Sequence, residues 1–527
     1  MRLLFISTII LMCTCLISCQ EEKQNPYTNI SLDDFQSLST SDYAVNSHRI
    51  REYLEGMVRA DNDAMSPDQR TRGYYRERNS FMWIDRHGVD HRADTLLYYI
   101  AQVADMGFSA EKFRLSQMQR DLQRVRTLDV SSSDSVRNIN RVLARLEYNL
   151  TKAYFRYASG LSFGFVNPAK VLNTYDVRDS DSVRVTYHKL YDVKIDRAGD
   201  QFYASAIGKV AHDSLGLFLR SIQPHGSLYE QLQRRLQSAD VTPAERVKLL
   251  CNMERCRWRE GADIDKLNRY VLVNIPAFKL RAVCPDSTME MRVGCGTYKT
   301  KTPLLRSEIM RMDINPEWIV PRSIIEKDVA RHAGNVRYFE RQRMYVRDRH
   351  TGKRIPPYAV TWGMLHNNRY LVIQEGGEGN SLGRVIFRFE NNFSVFLHDT
   401  SSRAFFSRDN RGVSHGCVRV ERPLDLALFL LEGQDYETIE KVTYSITAKL
   451  DRRHLKADED GDGEDDFMDD DPIDRSMLIK SVNVEPKVPL FIAYYTIYPD
   501  LEGQLRDYPD VYGYDRVIYR QLRNYLE

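Results

Sequence analysis

Residues 384–420 read RVIFRFENNFSVFLHDTSSRAFFSRDNRGVSHGCVRV. Two β-rich runs flank Asn391 and Asn392, which predicts a hairpin with strands near 384–389 and 393–398. Alternation puts Phe393, Val395 and Leu397 on one face, and Ser394, Phe396 and His398 on the other. His398 therefore closes a strand on the face opposite the Val395 row. The turn-rich segment after it carries His415 and Cys417. Gly416 has no side chain, so a substrate carbonyl or a neighbouring backbone can come close to Cys417. Successive amides around such a glycine can point at a developing oxyanion, while a nearby imidazole lowers the thiol pKa or takes its proton. His398 is the candidate base, and His415 shapes the turn. A zinc site built on His398, His415 and Cys417 uses the same residue types, although a fourth ligand is not evident. A core cysteine with two incidental histidines is a third reading. Composition and spacing leave the three open.

The alternating pattern reaches back to about 266. In YVLVNIPAFKLRAVCPDSTMEMRVGCG, 270–296, β-rich runs flank the PDST turn as a hairpin. Between the two hairpins lies 322–383, with the helical SIIEKDVARHAGNVRYFERQR and the Gly-rich QEGGEGNSLG. An insertion of that length inside a β domain reads as a functional lid. Upstream, 46–265 is helical. Ile139, Val142, Leu143, Leu146, Leu150, Tyr154 and Tyr157 recur at three and four, and Gly160 closes the run. Thr242, Pro243 and Glu245 form an N-cap, a first-turn proline and a capping box for a later helix. The expected architecture is multidomain α+β: a helical scaffold domain at 46–265, then a mainly β domain at 266–527 with an inserted lid.

An acidic stretch at 457–474 interrupts the second domain. Asp458, Asp460, Asp462 and Gly463 match the start of an EF-hand loop, but Asp469 stands at position twelve and Asp465 where an apolar residue is expected. The stretch reads as a solvated loop. At the other end, MRLLFISTIILMCTCLISC has one positive charge and an apolar run too short to span a bilayer, which needs about 20 residues. LISC resembles a bacterial lipobox, so 1–19 is expected to be a signal peptide, Cys19 a lipidated N-terminus and 20–45 a polar tether. The expected location is the cell envelope, lipid-anchored and facing the periplasm. Lys plus Arg, 75, nearly cancels Asp plus Glu, 73, so no nucleic-acid partner is indicated. Past Cys19, five cysteines remain: Cys251, Cys256, Cys284, Cys295 and Cys417. In an oxidising compartment an odd count leaves at least one thiol free or paired outside the chain. Cys251 and Cys256 lie on diverging faces of a helix and read as core thiols.

The segment from His398 through Ser414, His415, Gly416, Cys417, Val418 and Arg419 resembles the YkuD-type L,D-transpeptidase family, and specifically its YcbB-like branch. MRVGCGTYKTKTPLLRSEIMRMDINPEWIVPRSI resembles the opening of that branch's catalytic domain, LLCNMERCRW its domain junction, and VNVEPKVPLFIAYYTIYPDLEGQLRDYPDVYGYDR its closing strands. The resemblance implies Cys417 as nucleophile and His398 as proton acceptor and donor. It implies an oxyanion hole from the backbone at His415, Gly416 and Cys417, with Ser414 helping to shape it, and substrate binding by Arg419. The implied reaction is attack on the third residue of a peptidoglycan stem peptide, release of D-alanine, and transfer to a second stem's amine. No metal or cofactor is implied, and carbapenem-type β-lactams are expected inhibitors. An inactive peptidoglycan-binding lipoprotein is the alternative, as are hydrolysis, D-amino-acid exchange and protein attachment from the same acyl-enzyme. Two departures stand out. No peptidoglycan-binding module precedes NMERCRW, and Ile373, Gln374 and Gly376 replace the Arg-Gln and proline that relatives carry before NSLG.

Overall fold

The computed structural model describes residues 44–85, 88–131, 133–174, 190–259, 264–450 and 473–526. Cys19, most of the tether and the calcium-like residues 458–469 lie outside the described residues. Among the described residues no helix is long and apolar enough to cross a membrane. The described residues divide into two compact units, one within 1–167, 195–261 and 518–527, the other within 168–194 and 262–517.

The first unit is helical. Helices α1 (Ser47–Ala60) and α2 (Ser66–Arg76) pack on the long α3 (Ile139–Phe163), whose Asn138 cap accepts from Asn140 N and Arg141 N. The Ile139–Tyr157 stripe predicted from periodicity is buried. The helix does not stop at Gly160 as expected, but runs on to Phe163 and ends at Gly164, φ +88°. Gly160 serves packing: a Cβ there would lie 2.2 Å from the Phe165 ring. Thr242 caps α4 (Pro243–Arg257) by accepting from Glu245 N at 3.2 Å. The Glu245 carboxylate does not close the capping box but turns to Arg235 at 2.6 and 2.9 Å, because a guanidinium fork outcompetes a single main-chain amide.

Burial of α3 on almost every side forces its polar residues to find partners inside. Arg156 grips Asp68 with two bonds of 2.6 and 2.9 Å and adds Asp63 at 2.8 Å, while Lys152 reaches Asp61 and Asp63. Asp68 has no solvent exposure at all. Removing one member of such a pair strands the other, so Arg156→Leu is expected to destabilise the helical unit by about 3–5 kcal/mol. Denaturant unfolding followed by helical circular dichroism measures this, and a shift under ~1 kcal/mol would show the network to be dispensable.

The second unit is built on a closed sheet. Its strands are β1 (Tyr270–Asn274), β2 (Lys279–Cys284), β3 (Ser287–Gly296), β4 (Leu304–Ile314), β9 (Val385–Phe389), β10 (Leu397–His398), β12 (Val418–Val420) and β13 (Ser481–Ala493). They run in the order β9-β10-β12-β3-β2-β1-β13-β4, and β4 pairs again with β9. Strand β11 (Gly412–Ser414) joins β3 from the side. The PDST hairpin forms with Cys284 opposite Ser287. Inward-facing Val271, Leu280, Phe387, Leu397 and Leu490 are fully or almost fully buried.

The insertion is a small subdomain with its own sheet, β7-β6-β8-β5, from β5 (Trp318–Ile319), β6 (Met344–Asp348), β7 (Arg354–Ile355) and β8 (Tyr370–Gln374). It starts before 322, because Trp318 and Ile319 pair with Gln374 and Ile373. Phe339, Val346, Val372 and Leu365 form its core. The described residues of 168–194 belong with the β unit, since Tyr191 pairs with Leu304. The last ten residues belong with the helical unit, where Tyr525 packs on Phe108, Phe113 and Phe165. Among the described residues no disulfide joins any two of the five cysteines.

Candidate active site

Strand register brings the singled-out residues together. His398 on β10 stands opposite Ile386 of the antiparallel β9 and beside Arg419 of the parallel β12. Cys417 directly precedes β12, where Val418 N donates to Phe396 O at 3.1 Å. The predicted second strand of the hairpin shrinks to Leu397–His398, because Asn391 draws the chain into a turn by accepting from Phe393 N and Val395 N. The alternation nevertheless holds: Ser394, Phe396 and His398 all face one cleft of about 530 Å³, while Leu397 is fully buried.

That cleft also takes in Ser414, His415, Cys417 and Arg419. The inserted subdomain supplies Glu317, Trp318, Ile324 and Asp328 to its wall. Ile373, Gln374 and Gly376 do not line it. Gln374 is buried against Gln342 O and Ser381 N, and a Cβ at Gly376 would lie 2.2 Å from Asn315 O.

The turn before Cys417 is stiff. Gly416 has φ +124°, a region open to glycine and strained for other residues. Ser414 Oγ accepts from Gly416 N at 3.0 Å and donates to Cys417 O at 2.6 Å, so the Gly416 amide is already engaged. His415 is exposed at the turn's tip.

Burial governs the protonation of the pair. It pushes the His398 imidazole down to about 4, and the Arg419 charge pushes the same way, against main-chain bonds to Asp399 and Leu382. His398 Nδ1 lies 2.5 Å from Asp399 O, so Nδ1 carries the proton and Nε2 is the basic nitrogen. Burial pushes the Cys417 thiol up, and the Phe396 backbone and the charges of Arg419 and Arg388 only partly offset it. Of the two expected roles of the imidazole, lowering the thiol pKa or taking its proton, the resting site does not show the first: burial leaves the thiol raised, and both groups are neutral at pH 7.

Two features were not read from the sequence. Arg388 lines the cleft two residues beyond Ile386 on the His398 face, bonded to Asp313 at 2.7 Å and lying over Phe396. An arginine in the strand paired with the histidine was the available signal. Trp318, brought in by the subdomain, carried none. Arg419 lies over Phe405, and its buried Nε has no hydrogen-bond partner among the described residues. Among those residues no group of three or more His, Cys, Asp or Glu side chains is arranged to hold a metal ion.

Comparison with known proteins agrees with this layout. Residues 69–236 match a Scaffold domain, and residues 268–443 match the YkuD family, described as the L,D-transpeptidase catalytic domain. A protein of Haemophilus influenzae (strain ATCC 51907 / DSM 11121 / KW20 / Rd) named "Putative L,D-transpeptidase" is 26% identical over 317 residues. The match spans 59% of this chain and 58% of the relative. In this chain an L,D-transpeptidase catalytic domain of the YkuD family thus follows a Scaffold domain.

Proposed function

We propose that the protein is an L,D-transpeptidase that cross-links peptidoglycan stem peptides through a Cys417 acyl-enzyme, with His398 as its base. One observation carries the reading: His398 and Arg419 lie on adjacent strands, Cys417 directly precedes the second of them, and all three open into the same cleft. Arg419, which has no carboxylate partner among the described residues, suits a carboxylate of the donor stem. Attack of Cys417 Sγ on the carbonyl of the third residue passes the thiol proton to His398 Nε2 and forms a tetrahedral oxyanion. Its collapse expels D-alanine, which takes the proton from His398, and leaves a thioester. The side-chain amine of a second stem then attacks, giving up a proton to the same imidazole, and the released thiol completes the cycle.

The Cys417 amide, with the His415 amide beside it, is the proposed oxyanion donor, since Gly416 N is held by Ser414. A lipid on Cys19 would tether the enzyme in the envelope, close to its substrate. Incubating purified protein with isolated wall and identifying the products by mass spectrometry is expected to show new links between third residues together with free D-alanine. Shortened stems without new links would mark a hydrolase instead.

A further inference from the structure

Strand β3 ends at Gly296, and the TYKTKT loop that follows, 297–302, folds back against the turn carrying Cys417. Gly296 permits this close return, because a Cβ there would lie 2.0 Å from Thr300 O. Two threonines of the loop hold carbonyls of the turn. Thr300 Oγ1 donates to Ser414 O, and Thr302 Oγ1 donates to Gly416 O, both at 2.8 Å. Thr302 is fully buried, and its hydroxyl also accepts from Gly296 N at 2.8 Å, so its one proton is committed to Gly416. Behind it, Tyr512 Oη accepts from Thr302 N at 3.1 Å and donates to Gly296 O at 2.8 Å. Tyr512 is itself held, its main-chain N donating to Tyr494 Oη at 2.7 Å.

The Gly416–Cys417 peptide is planar, so its C=O and N–H point in opposite directions. A hydroxyl that pulls the Gly416 carbonyl inward turns the Cys417 N–H outward, and no bond to that N–H occurs among the described residues. We infer that Thr302, backed by Tyr512, is a positioning residue that aims the Cys417 amide at the oxyanion of the acyl-transfer reaction. The inference rests on the transpeptidase reading above. Without the clamp the peptide can rotate and spread the donor over orientations that miss the developing charge, while the thiol stays where it is.

Two reactions of the same sulfur separate these effects. Acylation by a carbapenem builds an oxyanion; alkylation by iodoacetamide displaces iodide and builds none. Thr302→Val keeps the shape and removes the donor. It is expected to slow carbapenem acylation, followed by intact mass, on the order of 10- to 100-fold, short of the 10²–10³ for deleting an oxyanion donor outright. Alkylation of Cys417 should stay within about twofold of wild type. Thr302→Ser, which restores the hydroxyl, should recover most of the acylation rate, and Tyr512→Phe should fall between. Acylation of Thr302→Val at the wild-type rate, or an equal loss of acylation and alkylation, overturns the inference. Wild-type protein that takes up no acyl group at all overturns the transpeptidase reading, and the clamp with it.

Discussion

Cys417→Ala protein is expected to be folded and to form no cross-links. Its wall-linking activity should drop by at least ~10⁴-fold, as for loss of a catalytic nucleophile. The fold should survive because the turn is held by groups that the substitution leaves in place: Ser414 Oγ on Gly416 N and Cys417 O, Thr302 Oγ1 on Gly416 O. Only the sulfur is lost, and alanine fits the space. No neighbouring thiol can stand in. Cys295 is fully buried, and burial pushes its thiol up to about 12. Muropeptide analysis gives the activity and thermal unfolding gives the fold. A mutant that unfolds with the wild type and still links third residues would remove Cys417 from the mechanism.

The site was legible in the sequence where chemistry is local. Period two in the 393–398 run aimed Ser394, Phe396 and His398 the same way, and the cleft lies on that side even though most of the run is turn instead of strand. The SHGC turn carries its own constraint, a glycine at φ +124°. What could not be read is long-range. Gly160 closes no helix, because Phe165 folds back onto it. The chain crosses between units at 168–194 and at 518–527, where the deciding contacts are a two-residue strand pair and one tyrosine ring among phenylalanines. The Gly416 amide is engaged by the Ser414 hydroxyl, and the neutral thiol–imidazole pair follows from burial, which no spacing rule supplies.

That neutral pair sets the second expected result. With the thiol raised and the His398 imidazole near 4, a preformed thiolate–imidazolium is scarce, so on the proposed mechanism His398 takes the proton during attack. His398→Ala is expected to slow carbapenem acylation by about 10²–10⁴-fold, and to slow transfer to an amine as well. His415→Ala, altering an exposed side chain at the turn's tip, should cost less than about tenfold. The wild-type acylation rate should hold from pH 7 down to 5 and fall only as pH drops through about 4, where His398 gains its proton. Stability moves in the same window, with a definite sign. The folded pKa lies below the ordinary 6.5, so the unfolded chain binds the extra proton first, and stability is lost as pH falls from 6.5 to 4. That loss reaches about 3 kcal/mol and should flatten in His398→Ala. On the proposed mechanism Arg419 links this titration to the substrate. Its charge is the second cause holding His398 down, after burial, so a stem carboxylate that neutralises it makes the imidazole more basic when the base is needed. The acid limb of kcat should therefore lie above that of kcat/KM, and Arg419→Gln should bring the two together. If His398→Ala acylates at the wild-type rate across the series while His415→Ala does not, the two histidines have exchanged roles.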